Sequence, residues 1–140
     1  MMDDTPPLPT IRQRALSANR ARRAAQARWG GRATDVSLHE AGRAFHASTP
    51  GHGGLLVDAR DIDVSLRAVF DPLLFMPPVQ LGDGTVYAFE EDADWVLPVL
   101  FGGLASLEFE DVDGLRRIWR RYFAERFDAL GLNIRPTFPG

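Results

Sequence analysis

The 140-residue chain has no cysteine, no lysine and no unbroken apolar run long enough to cross a bilayer. The missing cysteine excludes disulfides and thiolate metal sites and fits a reducing compartment. With lysine absent, all 16 cationic side chains are arginine. A GC-rich coding sequence explains that usage; a preference for guanidinium forks on phosphate or carboxylate is the functional alternative. The longest apolar run, "WVLPVLFGGLASL" (Trp95 to Leu107), is interrupted by Pro98 and a glycine pair, and a helical span needs about 20 residues. The opening MMDDTPPLPT is acidic and proline-rich with no apolar run behind it, so no secretory signal is expected. These absences lead us to expect a cytoplasmic protein with no membrane partner, no metal and no cofactor.

What is present suffices for one folded domain. Hydrophobic residues make up 45% and aromatics 10% of the chain, enough to bury a single core. The net charge of −3 conceals a strong asymmetry. Residues 1–34 carry seven Arg and two Asp, whereas Asp83 to Asp113 holds nine acids and no base, and five Arg follow between Arg116 and Arg126. One acidic surface and one or two basic ones are expected.

Residues 1–9 read as a leader, with Pro6, Pro7 and Pro9. Thr10 to Trp29 predicts a helix capped by Thr10 and stopped by Gly30-Gly31. Its apolar face is thin, with Ile11, Leu16, Ala25 and Trp29 among alanines. Residues 1–34 are therefore expected to form a basic, partly disordered arm, and residues 35–140 a single domain. A solvated helix docked by Trp29 alone is the alternative.

Val36 and Leu38, then Phe45 and Ala47, alternate about a turn at Ala41-Gly42, which predicts a hairpin. Thr49 to Gly54 reads as a loop and Leu55 to Val57 as a buried strand. Asp61 or Asp63 starts a helix through Phe70, and Phe75 to Pro78 breaks it. "VQLGDGTVYAF" predicts a second hairpin with a type I′ turn at Asp83-Gly84. Asp92 is expected to cap a short helix ending at Gly102-Gly103. From Asp111 or Asp113 to Gly131, residues Leu115, Ile118, Trp119, Tyr122, Phe123, Phe127 and Leu130 share one helical stripe. The pattern predicts an α+β fold: a small antiparallel sheet of hairpins covered by a C-terminal amphipathic helix. No internal repeat is visible.

Two clusters carry candidate chemistry. In "STPGHGGLL", Pro50 fixes φ while Gly51, Gly53 and Gly54 permit close approach and expose backbone N–H groups to an anion. His52, between glycines, is placed for acid–base work near neutral pH or for holding its own turn. The loop has neither the lysine of a P-loop nor the GxGxxG spacing. His39, His46 and His52 are spaced too irregularly for a compact metal motif. "FEEDADW" supplies Glu90, Glu91, Asp92 and Asp94, which read as a solvated helix cap, an acid–base partner for His52, or part of an acidic docking face. No nucleophilic triad is visible.

At these clusters the chain resembles a domain-of-unknown-function family of plasmids, phages and integrative elements, found alone or within polyvalent and antirestriction-associated proteins. Its members look like S-T-P-x-H-G-G-apolar, followed some 35 residues later by an aromatic residue and E-E-D-x-D/E-W. Ser48, Thr49, Pro50, His52, Gly53, Gly54 and Leu55 match the first motif, with Phe45 shortly before it, and Phe89, Glu90, Glu91, Asp92, Asp94 and Trp95 match the second. The likeness covers about residues 36–130. A Pro-Trp-Gly segment common in the family is missing, and Ala93 stands where cysteine is common. The resemblance implies a mobile-element context and proximity of His52 to the Glu90–Trp95 cluster; it implies no established activity.

Three functional expectations follow. The first is an interaction protein, an anti-CRISPR- or antirestriction-like inhibitor of a host or defence-system protein complex. It would dock through an acidic face of Glu90, Glu91, Asp92, Asp94, Glu108, Glu110 and Asp111. The second is a ligand-binding domain or enzyme in which His52 acts with Asp92 or Glu91 on a phosphate- or nucleotide-like group. The third is nucleic-acid binding by the N-terminal arm through Arg20, Arg22, Arg23 and Arg28, with Arg116 and Arg120 assisting; it would be steeply salt-dependent.

Overall fold

The computed structural model describes residues 16–38, 44–102 and 112–138. The proline-rich leader, Thr10, His39, the turn at Ala41-Gly42, Gly103 and the acids Glu108, Glu110 and Asp111 lie outside the described residues.

The fold is α+β. Helix α1 (Ala18–Trp29) precedes strands β1 (Asp35–Leu38), β2 (Phe45–Ser48) and β3 (Gly53–Asp58). A 3-10 turn at Ala59–Asp61 leads into α2 (Val64–Leu73), followed by β4 (Val79–Leu81) and β5 (Gly84–Glu90). Helices α3 (Val96–Gly102), α4 (Val112–Tyr122) and α5 (Ala124–Leu130) complete it. The sheet order is β1-β2-β3-β5-β4, with every neighbouring pair antiparallel.

β3 is buried along its whole length, so both sheet faces must be covered. Alternation along β3 and β5 divides the core. Leu55, Val57, Tyr87 and Phe89 face α2 to α5, meeting Phe70, Leu73, Leu97, Phe101, Trp119, Phe123 and Phe127. Leu56, Val86 and Ala88 face the other way with Phe45, Ala47 and Val79, onto Leu16, Ala21, Ala24 and Ala25 of the α1 segment. Burying each large apolar side chain contributes about 1.5–3 kcal/mol.

Helix α1 is therefore a layer of the fold, and the expectation of a loosely held arm is corrected for residues 16–34. The alanines that made its apolar face look thin are its packing face. Ala21, Ala24 and Ala25 are fully buried, because a methyl side chain lets the helix axis approach the sheet closely. Ser17, rather than Thr10, caps this helix, its hydroxyl accepting from the Arg20 N–H at 3.2 Å. Gly30, at φ 74°, closes the C-terminus by donating to the Gln26 carbonyl.

Three further expectations shift. The β4–β5 hairpin forms, but Leu81 pairs with Gly84, so the turn is Gly82-Asp83. No described non-glycine residue has positive φ, which excludes a type I′ turn there; Asp83 instead reaches across to Arg20 and Arg23 of α1. Asp92 does not cap a helix: residues 91–95 form successive turns and α3 begins at Val96. The expected C-terminal helix is two helices, α4 and α5, hinged at Phe123. Along its stripe Leu115, Trp119, Phe123 and Phe127 are buried, whereas Tyr122 and Leu130 are exposed. Among the described residues no helix is long and apolar enough to cross a membrane.

Candidate functional site

The two motif clusters meet at one end of the sheet. β3 starts in the S-T-P-x-H-G-G loop and β5 ends in the E-E-D-x-D-W turn, with Gly54 paired opposite Glu90. The Glu91 N–H donates to the Gly53 carbonyl at 2.9 Å. A Cβ on Gly54 would sit 2.1 Å from the Phe89 carbonyl oxygen, so only glycine allows this approach. The proximity implied by the resemblance is present: His52 Nδ1 lies 3.2 Å from Glu90 Oε1.

The loop is not an open anion cradle. The Thr49 N–H donates to the His52 carbonyl at 2.7 Å, and the His52 N–H returns to the Thr49 carbonyl at 3.4 Å. Both donors are spent inside the turn, and Gly53 and Gly54 lie in β3.

Beside the dyad opens a cleft of about 410 Å³. Its polar lining is His52, Glu90, Asp92, Asp94 and Arg28, and its apolar lining includes Trp29, Phe75, Met76 and Tyr122. The rim is built rather than loose. The rings of Phe75 and Tyr122 meet edge to face at 6.0 Å. Arg126 stacks over Phe75 and donates to the carbonyls of Leu73 and Tyr122. Across the mouth, Arg28 donates to the Pro77 carbonyl and lies 3.5 Å from the Met76 sulfur. These contacts fasten the end of α1 to the 75–77 segment. Phe75 and Met76 nonetheless remain more than half exposed.

At the base is Asp94, only 5% exposed. Its Oδ1 is buried with no hydrogen-bond partner among the described residues. Burial pushes its carboxyl up to about 6. The Glu90 N–H opposes that rise, the Glu90 carboxylate adds to it, and Arg126 and the Phe75 N–H oppose it. The Arg28 guanidinium is lowered from its ordinary value by burial, against the pull of Asp94.

The remaining candidates scatter. Glu91 and Asp92 are exposed on the turn. Arg20 points inward to the buried Asp58, which Arg60 also holds at 3.0 Å. Burial would raise the Asp58 carboxyl, but hydrogen bonds from Arg60 and Arg20 outweigh it and hold it at about 2. Arg23 pairs with Asp83 at 3.0 Å. Arg116 lies 4.7 Å above the Phe138 ring, while Arg22 and Arg120 are exposed. The basic face of α1 is thus partly consumed inside the fold: Arg20, Arg23 and Arg28 each bond to a described residue, to Asp58, Asp83 and Pro77 in turn. The acidic segment divides as well, with Asp83 paired to arginine, Glu90 to His52, and Asp94 buried. His46 sits in β2, opposite Leu55 of β3.

The sequence reading missed Trp29, Phe75, Met76 and Tyr122 as site residues. Tyr122 carried a faint signal, at the edge of the aromatic stripe. Phe75 and Met76 carried none beyond being large apolar residues in a segment bounded by prolines. No family model, curated protein or solved structure matches the chain.

Proposed function

We propose that the protein is a binding domain that captures a group of its partner in the cleft between α1, the His52 loop and the 90–95 turn. The observation that carries this reading is Asp94. A buried carboxylate oxygen without a donor costs about 1–3 kcal/mol, and the Asp94 Oδ1 bears that cost in a residue that lines the cleft. The exposed rings of Phe75 and Tyr122 support the same reading, since apolar surface beside a few polar groups is how ligand sites are made.

The partner we propose is a host or defence-system protein, in line with the resemblance to mobile-element proteins, the chain acting as an inhibitor. The docking face proposed from the acids alone has less support, because Asp83, Glu90 and Asp94 are engaged or buried. Glu91 and Asp92 are exposed beside the cleft and fit its edge.

A fragment screen followed by amide NMR tests the reading. Bound fragments are expected to shift the signals of Trp29, His52, Ala93 and Asp94, and Tyr122→Ala is expected to weaken them. Fragments that cluster elsewhere, with these signals unmoved, would refute it.

A second reading is favoured by one observation. Asp94, with its raised pKa, and a histidine partnered by Glu90 share one cleft, the arrangement used for paired acid and base work. On this reading wild-type protein converts a fragment found in the screen while His52→Ala only binds it. Equal recovery of unaltered fragment from both proteins would exclude it.

A further inference from the structure

We infer that the cleft takes an arginine side chain of a partner polypeptide, stacked on the aromatic rim with its guanidinium on Asp94. The inference rests on the cleft being a binding site and adds the class of its occupant.

Three observations converge on a cation of this shape. The first is charge. Glu90, Asp92 and Asp94 line the cleft against Arg28, with Arg126 acting on Asp94 and His52 paired to Glu90. Both arginines already spend N–H groups on main-chain carbonyls, Arg28 on Pro77 and Arg126 on Leu73 and Tyr122. They temper the negative charge, and the Asp94 Oδ1 still has no donor among the described residues.

The second is the rim. Phe75, Tyr122 and Trp29 offer aromatic surface around the acids, and a planar guanidinium stacks on such rings while its fork faces a carboxylate. The same rings already take guanidinium groups of the protein itself: Arg126 lies 5.3 Å from the Phe75 ring centre and Arg121 5.4 Å from that of Tyr122.

The third is what the cleft lacks for other ligands. An anion would meet three carboxylates, and the Thr49 and His52 N–H groups of the neighbouring loop already donate to its own carbonyls. A fully apolar group would leave the Asp94 oxygen desolvated and unpaired. A polypeptide is the favoured source because Phe75, Met76 and Tyr122 line the cleft and stay exposed, giving apolar residues flanking the arginine a surface to cover.

The groups facing Asp94 also set the pH response. Asp94 takes up a proton as pH falls through about 6. His52 on its loop pairs with Glu90, and Arg28 on α1 and Arg126 on α5 act on the Asp94 carboxylate. Protonation of Asp94 removes a charge that attracts a cation, so binding strengthens with rising pH.

The test uses the full chain and acetyl-Leu-Arg-Leu-amide, the same peptide with neutral citrulline for arginine, and methylguanidinium. The expected result is that the arginine peptide shifts the Trp29 and Ala93 signals and binds at least tenfold tighter than the citrulline peptide. Its affinity should rise severalfold from pH 5 to pH 7.5. Asp94→Asn should remove the preference for arginine, and Tyr122→Ala, at an exposed position, should weaken both peptides. Equal binding of the arginine and citrulline peptides would overturn the inference and leave the binding cleft standing. Methylguanidinium binding as tightly as the arginine peptide would overturn the polypeptide source. No shift with any probe would overturn the inference outright, the cleft itself then being judged by the fragment screen.

Discussion

Asp94→Asn should change how stability depends on pH, by an amount the structure sets. The carboxyl rises from its ordinary 3.8 to about 6 in the fold. Each unit is worth about 1.4 kcal/mol, so the full shift corresponds to about 3 kcal/mol. Because the folded-state value is raised, the contribution is complete below pH 3.8 and is lost as pH rises through 6. Asparagine has nearly the same shape and keeps an oxygen to accept from the Glu90 and Phe75 N–H groups, but it does not titrate. Any fixed cost of burying its amide is the same at every pH. The stability difference, variant minus wild type, should therefore move in favour of the variant by about 2–3 kcal/mol between pH 4 and pH 7.5. Urea unfolding of both proteins, followed by tryptophan fluorescence at several pH values, measures it. The slopes against urea should stay equal, so that only stability is compared. A difference that stays flat within about 0.5 kcal/mol would refute the burial argument for Asp94.

Gly54→Ala should cost several kcal/mol or prevent folding, because its Cβ would meet the Phe89 carbonyl at 2.1 Å; soluble expression and melting temperature check this. Ala24→Leu should destabilise by about 1–3 kcal/mol, since Ala24 is fully buried between α1 and the sheet; an unchanged melting temperature would restore the loosely held arm. Asp58→Ala should cost about 1.5–3 kcal/mol by removing the buried carboxylate that Arg20 and Arg60 share, leaving Arg20 the longer contact to Asp83 at 3.4 Å. Its acid dependence runs opposite to that of Asp94: the depressed Asp58 stabilises above pH 3.8, and that stabilisation is lost as pH falls towards about 2, an acid limb that unfolding curves of Asp58→Asn should lack.

Much of the fold was legible because its signals are local. Alternation in 36–47 and 79–89 predicts the hairpins that form, and the apolar run Leu55 to Val57 predicts the central strand, which starts two residues earlier, at Gly53, within the expected loop. The meeting of His52 with Glu90 was legible through the resemblance between two motifs, and the β3–β5 register brings it about. What could not be read depended on tertiary placement. A helix of alanines and arginines has the composition of a solvated arm until a sheet is set against its methyl groups. Arg20 looks like a nucleic-acid contact until Asp58 is found at the buried end of β3. Asp94 has the same chemistry in sequence as its neighbours Glu91 and Asp92, and only the turns of 91–95 send it inward while they stay exposed. The cleft rim joins Trp29, Phe75 and Tyr122 from three separate segments, so no spacing rule links them.

The most direct measurement is the titration of the Asp94 carboxyl carbon by NMR, in the free protein and with the arginine peptide bound. The account predicts a midpoint near 6 in the free protein, falling by a unit or more when a guanidinium supplies the missing donor. A carboxyl that titrates at its ordinary value when free, or one that the peptide leaves unmoved, would contradict it.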